Sequence, residues 1–215
     1  MREEEPMNKN IYKDNKGFSL VELIVAVLIT GILMLAVGLF MSTTRNTYSI
    51  VGTSAKLQEE SLTAEKVISE FLKEAKAYGI KTNLGRTVTG FSGDQDLLWI
   101  VAKNYLNPAE DSCYLFVLEK PSDGTPGKLR FKQAPASIVD LSTKVISEAN
   151  LTAYVDTVIN NKYALIANCM VSMEDKSGFT DSETGKDLIL LTCTYKYNNT
   201  VFTSNVSAVS RNIKK

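Results

Sequence analysis

From Leu23 to Thr44 no side chain carries a charge, and Leu, Ile, Val, Ala, Met and Phe fill most of the positions. A helix rises about 1.5 Å per residue. The run is therefore long enough to cross a hydrocarbon core of about 30 Å. It has no polar face, so it belongs in lipid or against other helices of the same kind. One carboxylate, Glu22, stands just inside its start. An acidic residue costs about 2.5–3.5 kcal/mol at mid-bilayer on insertion scales, and less near the interface. An acid at that place calls for a partner.

The flanks give the run a direction. Lys13 and Lys16 precede it, which favours a cytoplasmic start under the positive-inside rule; Glu3, Glu4 and Glu5 count little in that rule. Everything beyond about Thr44 is then expected outside the membrane. A secretory signal peptide also joins a basic start to an apolar run. Its run is only about 7–15 residues, with a small-residue cleavage site behind it. Here the run is longer, and Ser42-Thr43-Thr44-Arg45 is a poor site of that kind. An ordinary one-pass anchor gives no reason for Gly17 before the run, or for Glu22 four residues after Phe18.

The helix should continue past the membrane. Leu57, Ser61, Ala64, Ile68, Phe71, Ala75 and Tyr78 recur at alternating spacings of four and three, an apolar stripe at helical period. Leu62, Val67 and Leu72 widen it. Glu59, Glu60, Glu65, Lys66, Glu70, Lys73, Glu74 and Lys76 lie between them as a solvated face with i,i+3 and i,i+4 pairs. Gly79 is a natural stop. The stripe suits packing on a sheet, with a coiled-coil partner as the alternative.

Beyond Gly79 the pattern changes to strands and turns. Leu97–Val101, Cys113–Leu118, Lys128–Lys132, Leu165–Met173, Leu188–Tyr197 and Val201–Val209 read as strands, while residues 136–162 mix strand and short-helix signals. If the hairpin after Leu165 is symmetric about Asp181, Cys169 lies opposite Cys193. Cross-strand β-carbons sit about 4.5–5.5 Å apart, near disulfide range. A Cys169–Cys193 disulfide and two buried free thiols are the alternatives. With three cysteines in all, at least one thiol is left over. The expected fold is α+β: a long N-terminal helix packed on a C-terminal antiparallel β-sheet domain.

Composition excludes most chemistry. There is no histidine, which removes the usual general base, the usual zinc ligand and every Ser-His or Cys-His arrangement. Cys113, Cys169 and Cys193 lie far apart with no C-x-x-C spacing. Twenty-four basic residues balance 24 acidic ones, so no broad charge draws the chain to nucleic acid or anionic lipid. Asp94 with Asp96, and the acidic loop holding Asp175, Asp181, Glu183 and Asp187, are candidate calcium ligands, but neither fits the EF-hand loop. Solvated surface acids are the alternative. The sequence offers no catalytic constellation, no cofactor motif and no metal site, so an enzyme is not expected.

The stretch Gly17-Phe18-Ser19-Leu20-Val21-Glu22 at the head of an apolar helix resembles the processing site of type IV pilins and pseudopilins. The resemblance implies a leader over residues 1–17, cleavage between Gly17 and Phe18 by a prepilin peptidase/methyltransferase, and N-methylation of Phe18. It implies a membrane-spanning helix half over 18–42, an exported amphipathic half over 43–79, and an extracytoplasmic β-rich domain over 80–215. An α-amine titrates near 7.7–8. Opposite charges about 4 Å apart attract by roughly 4 kcal/mol at an effective dielectric near 20. The resemblance thus makes Glu22 an assembly residue, paired with the Phe18 amine of a sister subunit. Phe40–Tyr48, Leu57-Gln58-Glu59, Phe71–Ala75 and Val209-Ser210-Arg211-Asn212 resemble minor pilins of the PilW/PulJ type. Gly31 falls where many pilins have glycine, whereas Leu39 stands where major pilins usually carry proline. The implied partners are other pilin or pseudopilin subunits, the cytoplasmic membrane and an assembly platform protein, with nucleic acid only in a competence pilus. A membrane-anchored adhesin or DNA-binding module is the alternative function.

Overall fold

In a computed structural model, the described residues are 18–85, 93–122, 125–155, 164–177, 179–180 and 187–211. The chain divides into two units, Met1–Tyr48 and Ser49–Lys215. Helix α1, Leu20–Lys73, supplies all but Phe18 and Ser19 of the described part of the first unit, and the opening of the second.

In the second unit, α1 buries Thr53, Leu57, Ser61, Ala64, Ile68 and Leu72. These spacings of four, four, three, four and four follow a straight helix on a sheet rather than a strict heptad. The sheet runs β1 (Ala77–Lys81), β2 (Gly93–Lys103), β3 (Asp111–Pro121), β4 (Gly127–Pro135), β7 (Ala164–Asp175), β9 (Asp187–Tyr197), β10 (Thr200–Val209). Each neighbouring pair is antiparallel, and the short β8 (Phe179–Thr180) joins β9. All six strands expected from the sequence are present, each longer than its apolar centre.

The helix ends at Lys73 rather than at Tyr78, and Ala77–Lys81 becomes an edge strand. The Lys76 N–H donates to the Val101 carbonyl at 2.7 Å, which draws the chain into the sheet. Gly79 is therefore not a helix stop. It pairs with Trp99, and a β-carbon there would stand 2.5 Å from the indole ring. Glycine lets an aromatic cross-strand neighbour lie over the bare backbone.

β2 and β3 are buried on both faces, as their unbroken apolar runs Leu97–Ala102 and Cys113–Leu118 allow. Leu98, Ile100, Tyr114, Phe116 and Leu118 join Leu57, Ala64, Ile68 and Leu72 of α1 in one core. Leu97, Trp99, Val101, Leu115 and Val117 face the other way into a second core. The stretch with mixed sequence signals covers that second core. A 3-10 turn (Ala136–Ile138), the small hairpin of β5 (Val139–Asp140) and β6 (Val145–Ile146), and α2 (Glu148–Tyr154) supply Ile138, Val139, Ile146 and Leu151. Residues 156–162 of that stretch lie outside the described residues.

The symmetric hairpin about Asp181 is corrected. Cys193 lies opposite Met173, and Ser204 is its neighbour on the other side. Cys193 thus pairs four residues further along β7 than that symmetry requires: the bulge between Met170 and Ser172 accounts for one of the four, and the rest comes from pairing centred about two residues later than Asp181. Cys113, Cys169 and Cys193 are all buried free thiols.

Candidate functional site

The chemistry singled out by the sequence sits at the head of α1. Ser19 caps the helix: its Oγ accepts from the Val21 N–H at 3.3 Å. Glu22 reaches back, and its Oε2 accepts from the Ser19 N–H at 3.4 Å. Ser19-Leu20-Val21-Glu22 is thus an S-x-x-E capping box, which pairs amide donors that a helix start otherwise leaves open. The carboxylate also faces the positive end of the helix dipole. Its other oxygen, Oε1, has no hydrogen-bond partner among the described residues. Ser19 was not singled out from the sequence, although the S-x-x-E spacing ahead of an apolar run is the signal that finds it.

Every side chain from Phe18 to Thr43 is exposed, and Phe18 is 80% so. α1 is long and apolar enough to cross a membrane. Two hydroxyls of this segment return to the helix itself: Thr30 donates to the Ala26 carbonyl at 2.7 Å, and Thr43 to that of Leu39 at 2.9 Å. Such bonds spare those hydroxyl protons from standing unpaired in an apolar medium. Between Phe18 and Thr44 the one ionisable side chain is Glu22. Gly17 lies outside the described residues.

The remaining candidates take structural places. Asp96 is buried, pairs with Lys120 at 2.7 Å and accepts from the Asn83 N–H at 2.9 Å. Asp94 accepts from the Gly85 N–H at 3.1 Å. Together they fasten the chain after β1 to the sheet. Asp181 and Glu183 of the acidic loop lie outside the described residues, as does the side chain of Asp187. Burial pushes the Cys113 and Cys193 thiols up to about 12, and raises Cys169. Thiols held protonated in this way are poor nucleophiles and poor metal ligands.

The head of the chain has a known counterpart. Residues 12–38 match the prokaryotic N-terminal methylation motif. The match spans Gly17, Phe18, Ser19 and Glu22 together with most of the uncharged run. It supports a type IV pilin-like subunit, handled by a prepilin peptidase and assembled with other pilins. With the apolar helix, it supports a membrane-anchored, pilus-associated protein. No curated protein and no solved structure matches the chain significantly.

Proposed function

We propose that the chain is a minor pilin or pseudopilin subunit. It enters the membrane as a prepilin with its N-terminus inside and its sheet domain outside. It is cleaved after Gly17 and methylated on Phe18, and it then joins or initiates a type IV pilus, a type II secretion pseudopilus or a competence pilus. The observation that carries this reading is Glu22, the one ionisable side chain in an apolar segment whose other side chains stand exposed.

One carboxylate oxygen is engaged in the capping box while the other has no hydrogen-bond partner among the described residues. The acid can therefore keep its own helix start and accept an ammonium from outside at the same time, since a carboxylate offers about four acceptor positions. Cleavage after Gly17 creates that ammonium on Phe18. A Phe18 amine at the head of its own helix would face the dipole's positive end, an unfavourable place for a cation. A sister subunit's Glu22, reached by an axial stagger, relieves both groups.

The test is incorporation. Glu22→Ala should leave membrane insertion and cleavage intact and abolish copurification with pilus or pseudopilus components. Mass analysis of the mature protein should find N-methylphenylalanine at its start. Unchanged copurification of the alanine variant, or a mature chain that keeps residues 1–17 in cells with the peptidase, overturns the reading.

A further inference from the structure

The sheet face that carries the second core holds a cavity of about 310 Å³. Its floor is apolar, formed by Leu97 and Trp99 of β2 with Ile146 and Leu151 of the covering segment, all of them buried. Lys81 and Lys144 stand at its edge, and among the described residues no acid lines it. Glu148 lies 3.7 Å from Lys81, but both side chains are more than half exposed, so water weakens that pair.

Gly79 lines the cavity on the side of β1. A β-carbon there would stand 2.5 Å from Trp99 Cζ2 and 2.8 Å from Nε1, so glycine lets the indole edge lie close to the β1 backbone. Trp99 is 4% exposed, yet its N–H donates to no group among the described residues. Among the described residues the buried polar atoms without a partner belong to Gln95, Tyr195 and Ser204, so the Trp99 N–H remains open to water. The cavity therefore combines an unused N–H, two ammonium groups and hydrocarbon walls, at a size within the range of small-molecule sites.

We propose that this cavity binds a carboxylate carried on an apolar body. The carboxylate accepts from the Trp99 indole and meets the charges of Lys81 and Lys144, while the hydrocarbon rests on Leu97, Ile146 and Leu151. A small organic acid and the C-terminal residue of a peptide share this chemistry. The site rests on Ser49–Lys215 alone and is independent of how the subunit assembles.

Trp99 is the only tryptophan in the chain, so its emission reports on the cavity directly. The full chain in non-ionic detergent is titrated with phenylacetate, with phenylacetamide, and with an N-acetylated tripeptide ending in leucine, as acid and as amide. The acids should give a saturable change in emission, half complete on the order of a millimolar, as befits ligands of this size. The amides should bind at least ten-fold more weakly. Lys81→Gln with Lys144→Gln should weaken the acids about ten-fold at an unchanged melting temperature. If the double variant does not fold, Lys144→Gln alone should weaken them about three-fold. Tighter binding of the tripeptide acid than of phenylacetate identifies a chain terminus as the natural ligand, and the reverse identifies a free acid. An unsaturable response, equal binding of acids and amides, or no effect of the lysine substitutions overturns the proposal.

Discussion

One helix serves two environments. From Phe18 to Thr43 its side chains are exposed among the described residues. From Thr53 to Leu72 a single stripe is buried against the sheet while Leu62, Lys66 and Glu70 face solvent. The same backbone thus carries a segment buried against the sheet and one that stands exposed among the described residues. Burial within the chain makes the second half a matter of stability. Under the proposed function, the exposed first half is a matter of association.

That contrast can be broken most directly by removing the same side chain from each half. Ile68 is fully buried, whereas Ile29 is 53% exposed. Ile68→Ala should cost about 2–5 kcal/mol of unfolding free energy, since a buried isoleucine loses both transfer energy and packing. Ile29→Ala should leave the unfolding midpoint of the sheet domain unchanged within about 0.5 kcal/mol. Denaturant unfolding followed by Trp99 emission checks both. Equal losses in the two variants would show that the first half also packs within the chain.

The sealing of the sheet can be sharpened with its thiols. Cys193 lies in the core beneath α1 and Cys113 in the core on the opposite face. Both are pushed up to about 12 by burial, against an ordinary value of 9.0. The folded chain then holds more protons than the unfolded chain between those values, so stability is fully present below pH 9 and falls as pH rises towards 12. Each thiol contributes up to about 1.4 kcal/mol per pH unit across that window. Cys113→Ser and Cys193→Ser variants should each lose part of the slope in denaturant titrations from about pH 8 to about pH 11. A slope unaltered by either substitution would mean that water reaches both sulfurs.

The two halves also differ in how far the sequence discloses them. The apolar run, its single acid and the six main strands are local patterns, so periodicity and composition suffice to find them. The end of α1 was not legible, because Ala75 and Tyr78 continue the apolar spacing. What ends the helix is a long-range bond from Lys76 to Val101. The cysteine register was hidden for a similar reason: where the β7–β9 pairing is centred, and the bulge between Met170 and Ser172, have no signature in Leu165–Met173, yet together they place Cys193 opposite Met173. The second core was half visible. Unbroken apolar runs in β2 and β3 call for cover on both faces, but nothing local says that residues 136–155 supply it. At the head of α1 the signal is local, since Ser19-Leu20-Val21-Glu22 carries the capping-box spacing and marks Ser19 as well as the acid.

The smallest expected effect separates the two tasks given to Glu22. Ser19→Ala removes the hydroxyl that accepts from Val21 and should cost about 1 kcal/mol at the helix start. That loss is local, so insertion and cleavage should persist while incorporation falls only modestly, and Ser19→Thr should restore it. Glu22→Gln keeps an acceptor for the Ser19 N–H, because glutamine also completes a capping box, but it removes the charge. If the capping box were all that mattered, Glu22→Gln would behave as the parent and Ser19→Ala would be the more damaged. If the carboxylate meets an ammonium, the order reverses, and Glu22→Gln loses most of its incorporation while its helix start stays intact. The ranking of these two variants in copurification decides whether the acid serves its own helix or a neighbour's.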